Sequence, residues 1–164
     1  MYQFCVAVLE KSFLKTKAKK KEQKAFDQKP TAAFIGASWL VWAIGMISFC
    51  VGLWNSNMEL NEKGYYFTVL LFGLFSSISV QKAVRDQLEN VQVTAVYYGI
   101  SWFTTITSML LLIIGLWNAE LLLSEKGFYG IAFVLSLFGA ITVQKNIRDI
   151  AYVDLNEKEK LEED

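Results

Sequence analysis

The chain has 164 residues, 54% of them apolar, with 16 basic and 16 acidic side chains and no histidine. That length suits one ordinary domain. Eight lysines near the N-terminus are too unspecific, without a folded reader domain, to point to a nucleic-acid partner, and two cysteines make neither a disulfide scaffold nor a metal cluster.

The charges cluster along the chain. Residues 1–30 hold eight lysines, most of them in KTKAKKKEQK, after a stretch where Tyr2, Val6, Leu9 and Phe13 recur at helical spacing. Such an amphipathic basic arm suits anionic lipid at the cytoplasmic face of a membrane. Its positive charge follows the apolar part, the reverse of a secretory signal.

Next come 29 uncharged residues between Lys29 and Glu59, and 18 between Lys63 and Lys82. After a connection there are 30 between Glu89 and Glu120, then 18 between Lys126 and Lys145. Crossing a hydrocarbon core of roughly 30 Å takes about 20 mostly apolar residues, with a range of about 17–25. The runs predict spans over 32–54, 64–82, 95–117 and 127–145. A soluble bundle of such helices would carry charge on a solvent face, and none is present. Pro30, the only proline, lies ahead of the first span, where its missing N–H costs nothing. Asn61 and Ser124 are the expected N-caps of the second and fourth spans, with Glu62 and Glu125 at the positive end of the helix dipole.

Residues 32–86 align with 95–149 at a constant offset of 63 without a gap, and 22 of 55 positions are identical. Among the matches are Trp54/Trp117 and Asn55/Asn118, which end GLWN, and Glu62/Glu125, Lys63/Lys126 and Gly64/Gly127, which form EKG. Lys82/Lys145, Arg85/Arg148 and Asp86/Asp149 form a Q-K-x-x-R-D ending. Apolar letters coincide readily between membrane segments, but these polar phrases in register mark a duplication. The expected fold is all-α, an integral membrane four-helix protein made of two tandem two-helix hairpin repeats. Its parts are an arm over 1–30, repeats over 31–87 and 95–150, a connection over 88–94 and a charged tail over 151–164. A unit with an even number of spans re-enters from the same side, so the repeats are parallel rather than inverted.

Fourteen Lys and Arg fall on the side of the termini and central connection, against two in the loops 55–63 and 118–126. The positive-inside rule then places both termini in the cytoplasm. Trp54 and Trp117 fall where aromatic belts form, and Asn55 and Asn118 are placed to bond carbonyls at the helix ends. In the Q-K-x-x-R-D endings the cations suit the negative helix end, whereas Asp86 and Asp149 need a cation each. Local pairing with Lys82 and Lys145 is available. Pairing across the repeat is the sharper expectation, with Arg85 or Lys82 facing Asp149 and Arg148 or Lys145 facing Asp86. Small and hydroxyl residues recur in the spans, among them Gly45, Gly73, Ser76, Ser108, Ser136 and Gly139. They predict close helix approach, with hydroxyls bonding across helices.

The units GLWN…EKG[YF]Y…VQK…RD resemble the two-helix domain of the YiaA/YiaB family of bacterial inner membrane proteins, over roughly 31–150. The resemblance implies a multi-pass inner membrane protein and implies no particular activity, cofactor or metal. The residues themselves argue against an enzyme: no histidine, no acid–base pair within a span, no partnered cysteine. A transporter or channel normally carries an ionisable group or broken helix near the bilayer midplane; the spans show neither, and four of them make a small pathway unless the protein oligomerises. A structural, stress-related or interaction protein remains, its partners being lipid, further copies of itself or another membrane protein.

Overall fold

A computed structural model describes residues 30–163, except for the side chains of 156, 157 and 159–163. The basic arm, apart from Pro30, therefore lies outside the described residues, as does Asp164. Among those described there are four helices and no strand: α1 (Ala32–Asn55), α2 (Leu60–Leu88), α3 (Ala95–Asn118) and α4 (Leu123–Glu163). All four are long and apolar enough to cross a membrane. At 1.5 Å per residue the 24 residues of α1 and of α3 each reach about 36 Å. The 41 residues of α4 reach about 62 Å, so this helix runs well past the span expected to end at 145.

The helix starts differ from the sequence expectation. Helix α2 begins at Leu60 with Glu59 at the N-cap, so Asn61 lies inside the first turn. Likewise α4 begins at Leu123, ahead of Ser124. Residue type favours Asn and Ser as caps, but the glutamate three residues after the true cap decides the start. The Glu59 backbone N–H donates to the Glu62 carboxylate at 3.0 Å, and that of Leu122 donates to Glu125 at 2.9 Å. At α2 the Glu59 carboxylate also accepts from the Glu62 N–H, completing a capping box, whereas at α4 Leu122 has no side-chain acceptor and leaves only the backbone half. Thr94 caps α3, its hydroxyl accepting from the Tyr97 N–H at 3.3 Å. At its other end α2 closes through Asn90, whose φ of 60° is the left-handed conformation that Asn tolerates. There the Val91 N–H reaches the Asp86 carbonyl at 2.9 Å.

The chain divides into two compact units, one over 33–144 and another that takes α4 from Lys145 onward. In the second unit Asn146, Asp149 and Val153 are buried. In the first, glycines report the helix neighbours. A Cβ at Gly45 would lie 2.6 Å from the Ser136 nitrogen, and one at Gly139 would lie 2.5 Å from Trp42 Cα. Pairing 45 with 136 and 42 with 139 makes α1 and α4 antiparallel neighbours. A Cβ at Gly52 would meet Phe128 at 2.8 Å and Tyr129 at 3.1 Å. Its repeat equivalent, Gly115, would meet Tyr65 at 2.7 Å and Tyr66 at 3.2 Å. Adding 63 to one contact and subtracting it from the other interconverts the two.

Each repeat thus seats its first helix on the second helix of the other repeat. Between them α2 and α4 run parallel, with Tyr66 stacked on Tyr129 at a centroid distance of 6.3 Å and 15° between planes. Gly73 approaches Phe133 and Leu137 one to two turns further along. The central pair is parallel and both flanking helices are antiparallel to their neighbours, so the repeats are related by a pseudo-two-fold axis along the helices. The core follows this axis: Phe49, Tyr66, Leu70, Leu112, Tyr129 and Phe133 are buried together.

Small residues are what permit the approach, as expected for helices in lipid. The hydroxyls behave otherwise than expected. Ser76, Ser108 and Ser136 are fully buried, yet each donates to a carbonyl three or four residues back in its own helix, at 2.7–3.1 Å. Ser38, Ser79, Ser101, Thr105 and Thr142 do the same. A buried hydroxyl needs a partner, and the nearest carbonyl is intrahelical. Large side chains such as Ile47, Ile106, Ile113 and Phe138 are exposed, as a lipid-facing surface requires.

Candidate functional site

The repeated polar phrases come together at the two helix turns. An α-helix leaves its last four carbonyls without an intrahelical donor. At the end of α1 the Asn55 amide donates to the Val51 carbonyl at 2.9 Å, and the Ser56 N–H donates to Gly52 at 3.0 Å. The Ser56 hydroxyl donates to Leu53 at 2.8 Å, and the Lys63 ammonium crosses the turn to the Trp54 carbonyl at 3.2 Å. The other repeat does likewise: Asn118 to Ile114 at 2.8 Å, Ala119 N–H to Gly115 at 3.0 Å, Lys126 to Trp117 at 3.2 Å. Only the hydroxyl differs, since Ala119 replaces Ser56.

In each turn, then, Asn and Lys serve the end of one helix and Glu serves the start of the next. A cation at the helix C-terminus also matches the dipole. Trp54 and Trp117 project outward, 85% and 82% exposed, as interface anchors do. Gly64 and Gly127 have open space where a Cβ would stand, and no steric role for them appears. Tyr65 adds a bond across helices, its hydroxyl donating to the Leu111 carbonyl at 2.7 Å. Phe128 holds the equivalent position and has no hydroxyl to match it.

The Q-K-x-x-R-D endings are less alike than the turns. Arg85 donates to Glu89 at 2.8 Å, a partner outside the motif that sequence reasoning passed over. An exposed pair of this kind contributes about 0–1 kcal/mol. Lys145 lies 3.8 Å from the Asp149 carboxylate, the four-residue pairing expected from spacing. Arg148, expected to face Asp86, is half-buried in α4 beside the buried Asp149. Lys145, Arg148 and Asp149 fall in the unit that begins at Lys145, whereas Lys82, Arg85 and Asp86 belong to the unit over 33–144. The ion pairs described at these endings, Arg85–Glu89 and Lys145–Asp149, each link residues four apart on one helix. A partner four residues away on the same helix is already within reach. Lys82 is exposed and Asp86 half-buried. Among the described residues no group of three or more His, Cys, Asp or Glu is placed to hold a metal.

Two copies of the family described as the yiaA/B two helix domain match residues 34–86 and 97–149, covering both turns and both endings. The chain belongs to this family. It is 58% identical over 117 residues to the inner membrane protein YiaA of Escherichia coli K12, covering 71% of this chain and 81% of the relative. The inner membrane protein YiaB of the same organism is 32% identical over 101 residues, 61% of this chain and 85% of the relative. A Bacillus subtilis relative, described as the uncharacterized membrane protein YubF, is 35% identical over 71 residues. That match is 43% of this chain and 82% of the relative. No solved structure matches the chain. Family membership and four apolar helices together make it a multi-pass membrane protein of the inner-membrane type.

Proposed function

We propose that this protein is a structural, stress-related or interaction component of the bacterial inner membrane, with both termini and the 88–94 connection in the cytoplasm, and not an enzyme. One observation carries the reading: the polar residues repeated at the turns hold the turns. Asn55, Glu62 and Lys63, with Asn118, Glu125 and Lys126, are occupied by backbone groups, and the buried hydroxyls by their own helices. Residues spent on the scaffold leave contact with lipid or a partner as the route to function. The 14 to 2 division of Lys and Arg supports the orientation. Cross-linking in native membranes followed by affinity purification of the tagged full chain tests the role. Recovery of one membrane partner, lost when its contact face is mutated, is the expected result. Proton-gradient-driven solute uptake by vesicles holding only this protein would overturn it.

A further inference from the structure

The two repeats differ at one place in a way that changes their surface. Position 130 is glycine where the first repeat has Phe67. Beside Gly130, between α3 and α4, lies a cleft of about 610 Å³ lined only by apolar residues, among them Met109, Ile113, Leu116, Val134 and Phe138. That volume is within the roughly 300–1,000 Å³ of ordinary ligand sites. Ile113, Val134 and Phe138 are more than half exposed, so the cleft opens sideways rather than into the bundle.

Its depth identifies the medium that meets it. From Gly130 to Phe138 is about 12 Å along the helix, starting just inside the expected span, and one leaflet of hydrocarbon is about 15 Å. The groove therefore runs along the leaflet on the loop side. Residues 126, 130, 134 and 138 follow at four-residue steps, so Lys126 stands one turn above Gly130 on the same row. Its ammonium holds the Trp117 carbonyl at 3.2 Å and keeps further donors. Glu120 and Glu125, both exposed, lie close in sequence. The turn that precedes this row carries one cation and two carboxylates, which suits a headgroup of both signs better than a purely anionic one.

We propose that this cleft binds one acyl chain of a phosphatidylethanolamine molecule of the bilayer, its phosphate at Lys126 and its amine toward Glu120 and Glu125. In the first repeat Phe67 stands where Gly130 opens the cleft, although Lys63 stands in the equivalent place.

The test uses the full chain reconstituted in vesicles of phosphatidylethanolamine and phosphatidylglycerol, released into mild detergent and weighed by native mass spectrometry. Wild type should retain about one phosphatidylethanolamine per chain, and Gly130→Phe several-fold less at unchanged oligomeric state. Gly130→Phe copies the first repeat, and a Cβ at that position meets nothing within 4 Å. Equal lipid retention by both proteins would overturn the site. So would loss of a dimer on substitution without loss of lipid, which would make a second copy the occupant. Equal retention of phosphatidylglycerol would overturn the headgroup assignment. In wild type, a diazirine-bearing acyl chain should label 109–116 and 130–138. Labelling spread evenly over the exposed face of α1 would refute a discrete site.

Discussion

Gly139→Ala would set a methyl group 2.5 Å from Trp42 Cα and 2.7 Å from both its Cβ and its backbone nitrogen. Favourable carbon contacts lie at about 3.5–4.0 Å, so α1 would have to retreat by roughly 1 Å. Because the opposing atoms are mostly backbone, no rotamer change relieves the clash. Overpacking of this kind costs about 1–3 kcal/mol. Against it stands the gain of replacing a helical glycine by alanine, about 0.5–1 kcal/mol. Gly127→Ala supplies the control, since a Cβ there meets nothing within 4 Å. Both variants share the helix-propensity gain, so their difference isolates the packing term. Unfolding in mixed micelles, followed by circular dichroism, should find Gly139→Ala about 1–3 kcal/mol less stable than Gly127→Ala. Gly45→Ala, which faces Ser136 nitrogen and Oγ at 2.6 and 2.7 Å, should fall on the same side. Equal midpoints for Gly139→Ala and Gly127→Ala would refute the close approach of α1 to α4.

Other outcomes follow from the turns and the repeat relation. Lys63→Met and Lys126→Met should each lower stability by about 0.5–1.5 kcal/mol and add in combination, as distant equivalent bonds do; marked non-additivity in the same unfolding assay would contradict two independent turns. Tyr65→Phe should cost about 0.5–1.5 kcal/mol, whereas Phe128→Tyr should recover a similar amount by reaching the Ser48 carbonyl; a stabilising Tyr65→Phe would exclude the bond to Leu111. In a variant without native cysteines, Asn57→Cys should react with an impermeant thiol reagent on spheroplasts and Gln92→Cys should not, the reverse pattern meaning inverted topology.

Much of this architecture is legible in the sequence because lipid forbids charge. Four uncharged runs give four helices, and polar words repeated at a fixed offset give two parallel units. Helix pairing is harder to read. The apolar face that reveals packing in a soluble helix is invisible when every face is apolar, so nothing in the spacing says that Gly52 lies against Tyr129 rather than within its own hairpin. The caps mislead for a different reason: Asn61 and Ser124 have the right chemistry, but Glu62 and Glu125 reach back to Glu59 and Leu122, two positions earlier. The Q-K-x-x-R-D endings share letters but differ in their neighbours along the helix. Equal letters suggest equal partners, yet Arg85 has Glu89 four residues on, where the second repeat places Tyr152 after Arg148. The tail past 150 reads as charged and separate from the last span, yet it holds no Gly or Pro to stop α4. Hydroxyls assigned to neighbouring helices bond their own backbone, a signal carried by Ser and Thr four residues beyond a free carbonyl lone pair. The Phe67/Gly130 difference is visible in the alignment of the repeats, yet attention to identities hides it.

Exchanged seating, each first helix on the other repeat's second helix, is the claim on which the account rests. It is tested most directly by paired cysteines in membranes, after replacement of Cys5 and Cys50. A disulfide needs Cα atoms about 4.4–6.8 Å apart. Gly45→Cys with Ser136→Cys should cross-link within one chain on mild oxidation, while Ile47→Cys with Phe138→Cys, both exposed to lipid, should not. Cross-linking at 47/138 without cross-linking at 45/136 would contradict the exchanged seating.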